Sequence, residues 1–465
     1  MIPARPMPPA NYPPARALLS AAPERATRSA WGHVLQAAAA LAAGMGVGRF
    51  VYTPILPLMH AQAGLSASAG ASLATANYLG YLAGALAGIL LPRLVRSRSV
   101  LRGSLILLTV TLLAMPLTHA VAAWWILRMA AGVASALIFV IAVSSLLTHL
   151  RGHPAYLPGW GLGGVGAGIA LSGILVLILR SVGDWRSAWW ASAALAAVLA
   201  AGSWTLRPEP SAVPAASSAG AGGPARHPRT HRWFGALFAC YTLEGVGYII
   251  AGTFLVAAIE QTSPGWIGGG AWILAGLAAV PSSAVSAWLS RRWSRPDLLL
   301  VALVVQAIGI ALPVFDGGAP AAVISAALFG ATFLSIATIA LSAGAHLQFP
   351  RSVALLTVGY SVGQVLGPLV VTPLLRHGYH QALLLAALVV LAAAGAAGIL
   401  RIGFPHLLPT AYQRADQPGL YGSSAGSQAS ASRTPRSPIP DVRESTTART
   451  AARTSPRRHV SDQVQ

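Results

Sequence analysis

The sequence has no lysine, a single cysteine and few acidic residues. All 31 basic residues of the 465-residue chain are arginines, and only 11 residues are Asp or Glu. Without lysine the chain cannot form a Schiff base or supply the lysine of a phosphate-binding P-loop. Its one cysteine, Cys240, excludes a disulfide framework, a cysteine-based zinc site and an iron–sulfur cluster. Charged residues make up 9% of the chain, against about 25% in soluble domains, so a water-soluble enzyme is not expected.

Long apolar runs dominate what is present, since 55% of the residues are hydrophobic and the mean hydropathy is +0.63. A helix that crosses a bilayer needs about 20 mostly uncharged residues. Twelve runs meet this requirement, at residues 32–58, 71–92, 100–118, 122–148, 157–179, 187–206, 233–259, 266–290, 297–315, 319–346, 352–375 and 380–403. We therefore predict an all-α polytopic membrane protein with twelve transmembrane helices, numbered here as spans 1 to 12.

The distribution of arginine predicts how these spans are oriented. If both termini lie on the same side, that side carries 26 arginines, and the opposite loops carry only Arg180, Arg186 and Arg376. Loops on the cytoplasmic side are the ones enriched in positive charge. We therefore expect both termini to be cytoplasmic.

Three segments contain few large apolar residues and are rich in Pro, Gly, Ser, Ala and Arg. They are an N-terminal arm at 1–31, a linker at 207–232 and a tail at 407–465, and we predict that all three are disordered. Between them lie two predicted six-helix bundles, at 32–206 and 233–406. The arginines of the tail lack interleaved aromatics, so we expect them to contact anionic lipid and not nucleic acid.

Short repeats relate the two bundles. Gly46-Val47-Gly48 recurs 199 residues later as Gly245-Val246-Gly247, and Val165-Gly166 recurs 197 residues later as Val362-Gly363. Nearly equal offsets are typical of two parallel six-helix halves. Twelve spans, a central loop and related halves together predict the major facilitator architecture.

Three stretches resemble the YbfB/YjiJ-type branch of the bacterial major facilitator superfamily. They are GMGVGRFVYTPILPLM at 44–59, SLATANYLGYLAGALAG at 72–88 and LEGVGYIIAGTFL at 243–255. Arg128 and Gly132 in span 4 are similar to a superfamily motif that is associated with proton coupling in some members. The loop after span 2 lacks the usual acidic residue, and span 5 lacks the proline of the antiporter motif. The resemblance implies a transporter in a bacterial inner membrane.

Three charged residues stand out inside the predicted spans, away from the span ends: Arg49, Arg128 and Glu244. A charge in hydrocarbon costs about 2.5–3.5 kcal/mol even on the lenient insertion scale, so such residues mark functional positions. Glu244 lies near the middle of span 7. It either takes up and releases a proton during transport, or it pairs with an arginine or caps a broken helix. Arg128 lies only about six residues from the outer face, at the start of span 4, where a structural role is nearly as compatible with the sequence as a functional one; its place in the motif favours function.

Arg49 lies in a stretch of span 1 that is poor at forming regular helix. Gly46, Gly48 and Pro54 predict a loosened or kinked helix, as in the discontinuous helices that line transporter cavities. Tyr52 lies three residues after Arg49, on the same face. We expect Arg49 to bind a substrate or a carboxylate; the alternative is a side chain that snorkels to the outer leaflet.

Span 2 carries a stripe of polar and small residues spaced by three and four. Asn77 and Tyr81 are candidates for a cavity wall, whereas Gly80 and Gly84 predict close contact with another helix. Two further polar candidates lie in spans 7 and 11: Tyr248 and Gln364. Four tryptophans near span ends are typical of the interfacial belt: Trp124, Trp125, Trp189 and Trp190.

The pattern of polar residues also separates classes of function. The spans carry no pair of His at metal spacing and no nucleophile with a base, so we expect no enzyme activity, metal or cofactor. Charged rings typical of channels are missing, and without a P-loop ATP is not a direct energy source. We expect a monomeric secondary transporter of a small organic molecule that works by alternating access and is coupled to protons. A non-transporting receptor or scaffold with the same fold is the alternative.

Overall fold

The computed structural model describes residues 29–208 except 151 and 155, and residues 230–262, 266–315 and 318–405. The predicted disorder of the arm, the linker and the tail falls almost wholly outside these residues. The boundaries of the predicted bundles are therefore still predictions.

Long helices make up nearly all of the described chain. They are α1 Ser29–Ala63, α2 Ala67–Leu90, α3 Arg98–Leu117, α4 Val121–His149, α5 Tyr156–Val182, α6 Trp185–Gly202, α7 His231–Thr262, α8 Trp266–Leu289, α9 Arg295–Phe315, α10 Ala319–His346, α11 Ser352–Arg376 and α12 Tyr379–Arg401. Within the described ranges, eleven helices are long and apolar enough to cross a membrane. The all-α prediction is confirmed.

The helix α6 is the one of these helices that is not among the eleven candidate spans. It has 18 residues, and its first turns contain Arg186 and three tryptophans, which make it less apolar than the other helices. Its start is fixed by Asp184, which accepts a hydrogen bond from the Ser187 amide in a capping box. That bond holds the pKa of the Asp184 carboxyl below its ordinary value. A twelfth crossing at this helix remains a prediction.

The helix α1 is longer than the predicted span 1. It continues past residue 58 to Ala63 and ends at Gly64, which has a φ of +67°. Glycine adopts this left-handed conformation without steric cost and commonly ends helices. Proline at position 57 does not end the helix.

The helices pair in a pattern that recurs along the chain. The pairs α1–α5, α2–α4 and α3–α6 pack together, and the pairs α7–α11, α8–α10 and α9–α12 repeat them six helices later. Two further pairs, α2–α11 and α5–α8, join the helices before residue 209 to those after residue 229. We refer to α1–α6 as the N-terminal helices and to α7–α12 as the C-terminal helices.

Glycines allow the closest of these contacts. A Cβ on Gly80 of α2 would overlap the Met129 carbonyl of α4, and one on Gly132 of α4 would overlap the Asn77 carbonyl of α2. The pair α8–α10 has a similar contact, between Gly330 and Ala275. In a bilayer, where lipid is as apolar as the helices, such close van der Waals packing drives association.

The interfacial-belt prediction is wrong for two of the four tryptophans. Trp124 and Trp189 are 1% and 0% exposed, whereas Trp190 is 45% exposed. The indole N–H of Trp124 donates to the Met115 carbonyl at 2.8 Å. The position of a residue along a span does not determine which face of the helix it occupies, and in these two cases the face packs inward.

Candidate functional site

The helix α1 changes its geometry where its glycines lie. Ala42–Val47 is π-helical, and the Gly48 N–H donates to the Ala43 carbonyl five residues back at 2.8 Å. A turn at residues 48–51 follows before regular helix resumes. Pro54 lies in the first turn of that helix, where its missing N–H costs no hydrogen bond. Such a π-segment is typical of functional sites in helices.

Arg49 lies in this turn and is 2% exposed. Its Nη2 donates to the Oε1 of Gln364 in α11. Its guanidinium lies 4.3 Å from the ring centroid of Tyr81 and 4.8 Å from that of Tyr78, both in α2. Its Nε and Nη1 make no hydrogen bond within the described part of the chain. Arg49 is therefore a buried cation between α1, α2 and α11, and not a snorkelling side chain.

Arg128 is equally buried, but its side chain hydrogen-bonds to the backbone of the turn at residues 48–51. It donates to the carbonyls of Gly48 and Arg49, each at 3.2 Å, and its guanidinium lies 4.8 Å from the Tyr52 ring centroid. A break in a helix leaves carbonyls without their usual partners, and an arginine can satisfy two of them. Arg128 thus holds the turn that carries Arg49.

Two more of the predicted site residues belong to this supporting network. The Nδ2 of Asn77 donates to the Arg128 carbonyl at 2.9 Å, which ties α2 to α4. The hydroxyl of Tyr52 donates to the Gly70 carbonyl at 2.9 Å, which ties α1 to the start of α2. Neither side chain lines the cavity described next.

A cavity of about 80 Å³ lies between the N-terminal and the C-terminal helices. Four of the eight predicted substrate or coupling residues line it: Arg49, Tyr81, Tyr248 and Gln364. Seven aromatic side chains line it: Phe50, Tyr81, Phe139, Tyr241, Tyr248, Phe333 and Tyr360. The wall is thus largely aromatic, and its polar groups come mainly from α1 and α11.

Four of these rings form a row along one side of the cavity, in the order Tyr241, Tyr360, Tyr248 and Phe333. The centroids of Tyr241 and Tyr360 lie 4.3 Å apart, and those of Tyr360 and Tyr248 lie 5.6 Å apart. Tyr248 and Phe333 follow at 5.9 Å with planes only 8° apart. The row connects α7, α10 and α11, all of them C-terminal helices, so it forms one coherent wall.

Glu244 lies behind that wall and not in the cavity. Its side chain is 0% exposed, and neither carboxylate oxygen makes a hydrogen bond to the described residues. Tyr360 of α11 and Gln306 of α9 lie beside it. Gln306 is also 0% exposed, and both polar atoms of its amide are without a hydrogen-bond partner in the described chain. Among the described residues, Glu244 therefore neither pairs with an arginine nor caps a broken helix, the two structural roles that its sequence position left open.

Polar contacts join the N-terminal to the C-terminal helices in the part of the molecule that α1 enters after Arg49. The Thr53 hydroxyl donates to the Gly252 carbonyl at 2.6 Å, and the hydroxyls of Tyr78 and Thr253 lie 2.8 Å apart. Arg180 of α5 forms an ion pair with Glu260 of α7. We call this part of the molecule the closed end and the part that holds the cavity the cavity end.

Glycines predicted to pack or gate lie at tight contacts. A Cβ on Gly46 would overlap Gly168 of α5, and one on Gly48 would overlap the Leu108 side chain of α3. A Cβ on Gly84 would lie 2.7 Å from the Val133 carbonyl oxygen of α4. These glycines therefore set how closely α1 and α2 approach their neighbours.

Several residues of the site were not predicted from the sequence. They are Phe50, Tyr78, Gln306, Phe333, Tyr360 and Ser361. Gln306 had a usable signal, because an amide inside an apolar run is costly unless it serves a purpose. Ser361 lies three residues before Gln364, so a search for polar neighbours on the same helix face would have found it. The aromatic residues had no such signal, because aromatic side chains also face lipid.

The sequence matches one family model over residues 41–398, and its description reads "Uncharacterised MFS-type transporter YbfB". No curated protein matches the chain. Among solved structures, the fold is similar to a crystal structure of a point mutant of the nucleoside transporter NupG, with a TM-score of 0.61 and 13% identity. The similarity covers 80% of this chain and 99% of that one. Since the family model spans well over half of its length, the chain belongs to the YbfB family of MFS-type transporters.

Proposed function

We propose that this protein is a secondary transporter that carries a small organic molecule by alternating access and is coupled to protons. The observation that carries the proposal is the meeting of Arg49 and Gln364, two buried polar side chains 315 residues apart, at a cavity between the two sets of helices. In hydrocarbon, polar groups are costly and mark substrate pathways. The substrate would bind there, and the two sets would move against each other around it.

The proposal includes a specific architecture. The recurrence of helix pairs after six helices supports two related six-helix halves with α6 as the twelfth crossing. With both termini cytoplasmic, the closed end faces outward and the cavity end lies toward the cytoplasm. The protein would act as a monomer in the bacterial inner membrane.

Glu244 is the proposed proton site. A buried carboxylate with Gln306 and Tyr360 beside it, but with no cation beside it among the described residues, is unstable as an anion and favours the protonated form. It lies beside Tyr360, which stacks on Tyr248 in the cavity wall. A change of charge at Glu244 would therefore act on the ring row that a substrate touches, which gives the coupling a physical route.

The test is transport by purified protein in liposomes that contain a pH-sensitive dye. A panel of organic acids, amines, amino acids and nucleosides would be presented under opposed pH gradients. We expect at least one compound to accumulate with proton movement, and Glu244→Gln to abolish accumulation while exchange of that compound persists, because the amide imitates the protonated acid.

The matched control is Asp297→Asn, which makes the same chemical change in a carboxylate that is 34% exposed and paired with Arg401. It should transport like the wild type. If Glu244→Gln accumulates the compound with wild-type pH dependence, Glu244 is structural. If no compound crosses the membrane although several bind, the receptor or scaffold alternative is correct.

A further inference from the structure

The cavity contains a cation, Arg49, whose charge no acidic side chain of the described residues neutralises. The structure describes four acidic side chains, and three of them have other roles, because Asp184 caps α6, Glu260 pairs with Arg180 and Asp297 pairs with Arg401. The fourth, Glu244, does not line the cavity. Arg49 donates a hydrogen bond to the Oε1 of Gln364 and otherwise contacts aromatic rings. A buried charge left in this state is costly, so the site is electrically complete only with an anion.

The free donors lie together. The Nε and Nη1 of Arg49 have no partner among the described residues, and the same holds for the hydroxyl of Ser361, which is 1% exposed and lines the cavity. The two terminal nitrogens of a guanidinium form a planar fork that matches a carboxylate in two parallel hydrogen bonds, and Nη2 has a second N–H besides the one that it donates to Gln364. The polar part of the cavity therefore has the chemistry of a carboxylate site.

The rest of the cavity is suited to a flat ring. Tyr360, Tyr248 and Phe333 stand in a row with planes 8–15° apart and centroids 5.6–5.9 Å apart. Parallel rings at such spacing are offset, and all three rings line the cavity, so a ligand ring there would pack against the row. Offset stacking on a ligand ring adds about 0.5–1.5 kcal/mol beyond the burial of apolar area, a gain that a saturated ring does not receive.

The size of the cavity limits the ligand. Its volume of about 80 Å³ is smaller than the roughly 150 Å³ of an apolar cavity that holds benzene, so even one ring requires some opening. A fused ring system or a sugar attached to a base would need considerably more. The space favours the smallest aromatic ligands.

We propose that the cavity binds a monocarboxylate with a single aromatic ring, its carboxylate held by Arg49 and its ring packed against Tyr248, Phe333 and Tyr360. This inference rests on the proposed function, because it takes the cavity as the transport site.

Calorimetric titration of the purified full-length protein at neutral pH tests the inference with four probes: benzoate, benzylammonium, benzyl alcohol and cyclohexanecarboxylate. Benzoate should bind most tightly, about three- to tenfold better than cyclohexanecarboxylate, because only an aromatic ring stacks on the row. Benzylammonium should not bind, since Arg49 repels it. Tight binding of benzylammonium or equal binding of all four probes would overturn the inference.

Variants at Arg49 and Tyr248 assign the effect to residues. Arg49→Gln should weaken benzoate about 30-fold or more, and Arg49→Lys should restore part of that loss. Tyr248→Leu should bind both carboxylates but lose the preference for benzoate. Arg401→Gln, outside the cavity, should bind like the wild type. If Arg49→Gln does not fold, the Tyr248→Leu result decides: an undiminished preference for benzoate would show that the ring row is not the binding wall.

Flux of labelled benzoate into liposomes separates the two proposals. Benzoate that binds with the expected preferences but does not cross the membrane would overturn the proposed transport and leave the ligand assignment intact. Transport of an amine or of a nucleoside with no binding of aromatic carboxylates would overturn the ligand assignment and leave transport intact.

Discussion

The closed end and the cavity end of the same helices are held together in different ways. At the closed end, two hydroxyl hydrogen bonds and the Arg180–Glu260 ion pair join α1, α2 and α5 to α7. Around the cavity, the hydrogen bond of Arg49 with Gln364 is the polar contact that joins the two sets, and most other lining groups are aromatic or aliphatic.

The difference has a mechanical meaning. Directional bonds lose their energy within a small displacement, whereas aromatic and aliphatic surfaces can slide and still remain in contact. We therefore expect the closed end to resist separation, and the contacts at the cavity end to re-form around a ligand. An alternating-access cycle would have to break the closed end in each turn.

The largest expected effect comes from locking the closed end covalently. The side chains of Arg180 and Glu260 meet across the two sets, so Arg180→Cys with Glu260→Cys should be bridged by a short bifunctional thiol reagent that reduction cleaves. In a Cys240→Ala background, flux should fall to the level of empty liposomes and return on reduction. Each single-cysteine variant should keep its flux after the same treatment. Full flux in the cross-linked protein would show that this end never opens.

The second prediction concerns the contact between α5 and α8, which runs along the helices from the cavity end to the closed end. A Cβ on Gly276 would lie 2.8 Å from the Gly166 carbonyl oxygen and closer still to the Ala170 nitrogen. Backbone atoms cannot move aside cheaply, so Gly276→Ala should cost about 1–3 kcal/mol of stability.

The midpoint of thermal unfolding in detergent measures this cost. The matched control is Gly398→Ala in α12, since a Cβ there meets nothing within 4 Å. Its midpoint should stay equal to that of the wild type or rise slightly, because alanine favours helix more than glycine does. Equal midpoints for both variants would mean that α5 and α8 are less tightly packed than described.

The smallest expected effect comes from removing one polar contact of the closed end without cross-linking it. Glu260→Gln removes the ion pair with Arg180. The side chain of Glu260 is 11% exposed and that of Arg180 is 33% exposed. Such a half-buried pair contributes about 1–2 kcal/mol, between the values for exposed and for buried pairs. The population open at the closed end should rise about 5- to 30-fold.

A thiol reagent that does not cross membranes measures this rise. Thr53→Cys in the Cys240→Ala background is the reporter, because Thr53 is 3% exposed in the closed arrangement. Its labelling rate in intact cells should increase with Glu260→Gln and stay unchanged with Asp297→Asn, whose carboxylate pairs with Arg401. Unchanged labelling in both would show that the ion pair does not hold this end closed.

Much of the fold could be predicted because its signals are local. Eleven of the predicted spans correspond to helices suited to cross a membrane, since the length of an apolar run measures burial in lipid directly. The break at Gly46 and Gly48 was likewise predictable, because glycine weakens a helix wherever it lies. α6 was the weakest case, since tryptophan and arginine at its start lower its hydropathy.

The candidate site could be predicted only in part. Arg49 and Gln364 could be singled out because a polar group inside hydrocarbon is rare. Their contact could not, since nothing local in the sequence links positions 315 residues apart. For Glu244 the sequence indicated the depth in the span but not the face of the helix, and the structure places the carboxylate beside Tyr360 and not among the residues that line the cavity.

The sequence by itself determined which segments are apolar helices, where α1 is irregular and which charges are buried. Only the tertiary structure decided that Arg49 meets Gln364, that Arg128 serves the backbone and that Tyr248 belongs to a row of rings. Hydropathy and helix propensity act within one segment. Which faces of two helices meet depends instead on close packing and on scarce polar contacts between distant segments, because lipid gives helices no hydrophobic reason to prefer one neighbour over another.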